Sequence, residues 1–193
     1  MKYNLFSRKR LLIVAGPTGC GKSTFLRSAL GNKPSPLTKK ILRKAFKRSD
    51  FKIQQLYFRR LQKLHEKQES YKKFIRNYNN FILDIDTTGP KFKKNALIFP
   101  DFLSKFNRIT SVQICTPYEL WINRILERKI NSTLRCNRSL RRVLHNSLSL
   151  KPQDINQAEK QYYAYFDQWD SILSDYNVKS QIRINTMEDL ILE

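Results

Sequence analysis

Apolar residues along this chain follow two rhythms. Unbroken runs, Leu11 to Ala15 and Phe81 to Leu83, and the segments Ile109 to Cys115 and Val178 to Ile184, read as strands, the first two buried on both faces of a parallel sheet. Between them apolar positions recur every three or four residues, as in Phe25, Leu26, Ala29 and Leu30, and these predict amphipathic helices. The same spacing links Ile53, Leu56, Tyr57, Leu61 and Leu64, so 49–77 is expected to be helical, with a break near Ser70 and no strand of its own. A long helix should carry Ile155, Ala158, Tyr162, Phe166, Trp169 and Leu173 inward.

Boundary residues sharpen these expectations. Gly31 and Asn32 stand where a left-handed cap would end the first helix, and Thr38 and Asp154 are candidate N-caps. Thr116, Pro117 and Glu119 form a capping box opening a helix that runs to about Lys129. Thr186 and Asp189 are placed to cap a short C-terminal helix. Alternating strands and helices predict an α/β fold, a three-layer sandwich around a parallel β-sheet, as one domain over 1–193.

The chemistry begins at the end of the first run. Gly16, Pro17, Thr18, Gly19, Cys20, Gly21, Lys22, Ser23 and Thr24 place G-x-x-x-x-G-K-S between a strand and a helix, in the order a phosphate-binding loop requires. The glycines let successive backbone N–H groups turn inward, and the helix adds its positive end. Lys22 is expected to bridge the outer phosphates and Ser23 to ligate Mg²⁺, with Cys20 a small filler. A second strand ends at Asp84 and Asp86, two residues apart and therefore on one face. One carboxylate suits Mg²⁺, Asp84 being first choice, and the other suits the proton of an acceptor hydroxyl. The plainer alternative is a strand-end turn in which Asp86 caps Thr88 or Gly89.

Composition changes the picture mainly through charge. At 193 residues and 40% hydrophobic content the chain can bury a core, while a net charge of +21 and pI near 10.1 call for anionic partners. Three cysteines, Cys20, Cys115 and Cys136, have no metal-type spacing and fit a reducing, cytoplasmic setting. Arg8, Lys9 and Arg10 before an apolar run imitate a secretion signal, but that run is short and ends in the phosphate loop; no run approaches membrane-spanning length. His65 and His145 look like surface positions, and Tyr162, Tyr163, Tyr165, Phe166 and Trp169 have the spacing of core packing more than of base stacking.

The layout from Arg10 to Ile184 resembles the P-loop small-molecule and nucleoside monophosphate kinases, the superfamily of guanylate, shikimate and gluconate kinases. The resemblance rests on "GPTGCGKS" and, less specifically, on "CTPYELWINRILERK". It implies ATP or GTP with Mg²⁺ as cofactors, a small anionic or hydroxyl acceptor, and arginines near a helix end followed by a closing lid. Arg124, Arg128, Arg135 and Arg138 match those arginines, 131–151 the lid, and the basic segment 33–80 the acceptor region; a solvated helix face is the alternative for Arg124 and Arg128. A nucleic-acid enzyme on the same scaffold, a polynucleotide end kinase or a tRNA-modifying transferase, competes with the kinase, since the loop also resembles that of tRNA prenyltransferases. A non-catalytic nucleotide-binding module is the third reading. "NKPS" lacks the aspartate of a guanine reader, and Ile85 stands where a motor ATPase carries glutamate.

Overall fold

The computed structural model describes residues 9–46, 53–87, 98–131, 152–174, 176, 178 and 180–185. In chain order these form β1 (Arg10–Gly16), α1 (Lys22–Leu30), α2 (Pro36–Phe46), β2 (Ile53–Tyr57), α3 (Phe58–Glu66), α4 (Gln68–Asn77) and β3 (Asn80–Asp86). There follow α5 (Ile98–Ser104), β4 (Arg108–Ile114), α6 (Tyr118–Asn131), α7 (Pro152–Ser174) and β5 (Ser180–Ile184). The five strands lie in the order β2-β3-β1-β4-β5, and every neighbouring pair is parallel.

Side-chain alternation along β1 divides the core. Leu12 and Val14 pack with Phe25 of α1, Ile41 and Phe46 of α2 and Trp121 of α6. Leu11, Ile13 and Ala15 pack on the opposite side with Leu61 of α3, Ile75 of α4 and Phe102 of α5. Helix α7 serves both layers, Tyr162 and Phe166 facing one and Trp169 and Leu173 the other. The parallel three-layer sandwich expected from the sequence is therefore present, with its central strand wholly inside. Among the described residues no helix is long and apolar enough to cross a membrane.

Several local expectations are corrected. The segment read as continuous helix contains the edge strand β2, and the helices after it break at Lys67 instead of Ser70. Gly31 is extended (φ −79°, ψ 168°), not left-handed; what it supplies is space, since a Cβ there would lie 2.8 Å from the Arg27 carbonyl. Ser35, not Thr38, caps α2: its Oγ accepts the Thr38 N–H at 3.2 Å, with Pro36 in the first helical position. Thr38 is instead buried, its hydroxyl tied to Ser28 and Ser35. Helix α7 starts at Pro152, which puts Asp154 inside its first turn. Thr186 and Asp189 lie outside the described residues.

Candidate functional site: the phosphate loop and its neighbours

Strand β1 delivers the loop to the carboxyl edge of the sheet, at the point where chain order reverses between β3 and β4. Gly16, Gly19 and Gly21 have φ of 153°, 93° and 108°, conformations that side chains disfavour. A Cβ on Gly16 would also lie 2.6 Å from Cys20 Sγ and 2.9 Å from the Ile114 carbonyl. Cys20 is fully buried and fills the space beneath the loop, as expected of it, and burial pushes its thiol pKa up. Gly21 opens α1 without a side-chain cap, and no acidic residue occupies the first turn. The positive helix end thus faces the loop uncompensated, the arrangement that receives phosphate.

The loop is braced from three elements. Lys22 Nζ, at the head of α1, donates to the Gly16 and Pro17 carbonyls at 2.7 and 2.9 Å. From the helix layer, Trp121 Nε1 donates to the Thr18 carbonyl at 2.8 Å. Thr116 Oγ1 donates to the Cys20 carbonyl at 2.7 Å, and Tyr162 Oη in turn donates to the Thr116 carbonyl at 2.5 Å. That corrects the capping box: the Thr116 hydroxyl serves the loop, and the carbonyl of Pro117 accepts the Trp121 N–H at 2.9 Å to open α6. From β3, Asp86 accepts the hydroxyl of Thr18.

Register explains why the carboxylates reach the loop. Asp84 and Asp86 pair with Val14 and Gly16 of the adjacent β1, and both share the sheet face of Ile82, which packs with α1. Asp84 lines a cavity of about 370 Å³ together with Ser23, Arg27, Leu30, Gln55 and Tyr57. Burial pushes the Asp84 carboxyl pKa up, the Lys22 ammonium pulls it back, and Asp86 adds a smaller upward push. Thus Ser23 and Asp84 meet around one space, with the Lys22 charge near Asp84, while Asp86 sits against Thr18.

Thr87 Oγ1, next to the loop, and Arg124 Nη1, on the helix that carries Trp121, are buried polar atoms that lack a hydrogen-bond partner among the described residues. Thr87 follows β3, its N–H bound to the Gly16 carbonyl at 3.2 Å. Arg124 stands one turn beyond Trp121 on the same face of α6. A glycine cradle, a lysine and the orphaned Thr87 hydroxyl beside them fit a polyphosphate carrying a divalent cation, with Ser23 and Asp84 as the oxygen ligands at hand. Arg128 belongs to α6, but its side chain lies outside the described residues, as do Arg135, Arg138 and the rest of the expected lid. His65 sits away from the loop, 3.5 Å from Asp101 and edge-on to Tyr71. Tyr162, Phe166 and Trp169 are core, and Tyr163 is 43% exposed.

Sequence reasoning missed Trp121, Thr116, Gln55 and Tyr57 as neighbours of the site. For Trp121 a signal existed, since a tryptophan one turn into the helix after a sheet strand can reach the loop at the same sheet edge. Gln55 and Tyr57 gave none, because the strand carrying them reads as helix.

Among the solved structures similar to the chain are two at 14% identity. A shikimate kinase from Acinetobacter baumannii in complex with shikimate has a TM-score of 0.44, over 97% of this chain and 90% of that one. An unliganded sugar kinase from a Janibacter species has a TM-score of 0.36, over 85% of this chain and 98% of that one. No curated protein matches. The model of the Rad17 P-loop domain matches residues 2–116, from before β1 through β4. Loop, sheet and match agree: the chain belongs to the Rad17 P-loop domain family.

Proposed function

We propose that the protein is a phosphotransferase that moves the terminal phosphoryl group of ATP or GTP onto a small hydroxyl or phosphate acceptor. The observation that carries this reading is the cavity beside Ser23 and Asp84, which gives an acceptor room next to the phosphate loop. Transfer joins an acceptor oxygen to the terminal phosphorus as the bond to the bridging oxygen breaks, and the nucleoside diphosphate leaves. Bound Mg²⁺ would neutralise charge on the phosphate oxygens. Ser23 and Asp84 are the residues to hold it, and Asp86 is the one to take the acceptor proton.

Lys22 and the loop amides bind and orient the donor, and Arg124 offers its unpaired Nη1 to the phosphates. Arg128, Arg135 and Arg138 complete that cationic set in our reading, with 131–151 as the lid that excludes water and 33–80 as the acceptor region. Transfer is favoured over hydrolysis because Ile85 follows Asp84, fully buried on the opposite sheet face, and supplies no base for a water. Acceptor-dependent release of ADP, screened over nucleosides, nucleotides, sugars and oligonucleotides in magnesium buffer, tests the assignment. Lys22→Ala should abolish that release; a variant that turns over like the parent overturns it.

A further inference from the structure

We propose that the small accepting group is the terminal hydroxyl or phosphate of a single-stranded nucleic acid, its terminal base stacked on Tyr57 and its following phosphates held by α3. The inference rests on reading the cavity beside Ser23 and Asp84 as the acceptor subsite. Three features lead to it. First, β2 is an edge strand, and on the α1 side of the sheet its last residues, Gln55 and Tyr57, form the open wall of that cavity. Tyr57 is 55% exposed, among the most exposed large hydrophobic side chains described. An aromatic ring left in solvent at the mouth of a site has little structural use, but it offers a face on which any base can stack.

Second, α3 begins at Phe58, directly after Tyr57 at the end of β2, and packs through Leu61 on the sheet face opposite α1, so a strand leaving Tyr57 meets it by crossing the sheet edge. Arg59, Arg60 and Lys63 of that helix are exposed, and no ion pair joins them to a carboxylate among the described residues. Arg60 lies 5.9 Å from the Phe74 ring, which orders its guanidinium without neutralising it. Third, between residues 33 and 80 the sequence has fifteen Lys and Arg against three Asp and Glu, so this region carries more than half of the net +21. A mononucleotide or metabolite filling the cavity would leave Arg59, Arg60 and Lys63 unused, whereas a strand continuing past Tyr57 would bring phosphates to them.

Anisotropy of a fluorescent single-stranded oligonucleotide, DNA and RNA in parallel, measures the interaction apart from catalysis. Affinity should fall steeply with salt, and replacing Arg59, Arg60 and Lys63 together by alanine should lower the salt slope by about 2, near 0.7 for each phosphate no longer neutralised. Tyr57→Ala should weaken binding about tenfold with the slope unchanged. All four side chains lie at the surface, and thermal melting of each variant checks the fold. Lys22→Ala should lose nucleotide binding yet keep oligonucleotide binding, so failure of the phosphotransfer reading and failure of this one are told apart. The proposal is overturned if the alanine variants leave affinity and slope unchanged, or if anionic lipid vesicles displace the oligonucleotide at equal charge concentration.

Discussion

The indole of Trp121 donates to the carbonyl of Thr18 across 103 residues of sequence, fixing the phosphate loop to the helix that follows β4. Its ring also lies 4.6 Å from that of Tyr162, whose hydroxyl reaches the carbonyl of Thr116. Trp121→Phe should retain most of the packing and remove the bond. Loss of about 1 kcal/mol of stability is expected, visible as a lower midpoint in urea with an unchanged slope, together with weaker nucleotide binding.

Thr18 is held from the other side by Asp86, which ties the loop to the strand bearing the carboxylates. Thr18→Val and Asp86→Ala remove the same hydrogen bond, so their effects on stability should not add. A double-mutant cycle should return a coupling of about 1.5 to 3 kcal/mol, the range for a hydrogen bond to a charged group. Additive effects would show that the bond contributes nothing.

The difference between what the sequence revealed and what it concealed has a physical basis. Strands β1, β3 and β4 sit inside the sheet, so Leu11 to Ala15, Phe81 to Leu83 and Ile109 to Ile114 announce themselves by composition. Strand β2 is a short edge with one face open beyond α1, and only Leu56 is fully buried, so Gln54 and Gln55 were free to be polar. Ile53 and Leu56 are three residues apart and Tyr57 falls four before Leu61 of α3 and seven before Leu64, which makes strand and helix read as one helix. The paired aspartates were legible because a parallel sheet presents strand ends to the loop. The hydrogen bonds of Trp121 and Thr116 depend on tertiary placement that no local pattern encodes. Ser35 is hidden behind Thr38 for a different reason: the proline just after the serine marks the true first turn, yet among neighbouring prolines it reads as loop.

Ligand binding should register as stability. A triphosphate at a hundredfold excess over its dissociation constant raises unfolding free energy by about 2.7 kcal/mol. Wild type should show that upward shift in melting temperature with ATP and Mg²⁺, and much of it should vanish on adding a magnesium chelator. Lys22→Ala should show none. In Ser23→Ala the residual shift should lose its dependence on magnesium, which separates the lysine's grip on phosphate from the serine's on the cation.

The cysteines give a prediction with a definite sign in pH. Burial pushes the Cys115 thiol from an ordinary 9.0 up to about 12, against a smaller pull from Arg183. Near pH 8 its thiolate fraction is therefore about a thousandfold below that of a free thiol, and greater intrinsic nucleophilicity recovers only part of this, leaving alkylation about fiftyfold slower. Its rate should climb about tenfold per pH unit well past 9, where a free thiol levels off. Stability follows with the same sign: above pH 9 the unfolded chain loses this proton while the folded chain keeps it, so stability falls as pH rises toward 12. Peptide mapping after iodoacetamide treatment reads Cys115 separately from Cys20, which burial also protects. A rate for Cys115 that levels off near pH 9 in the native protein would mean that its thiol meets water, and that α7 and β5 do not close over the end of β4.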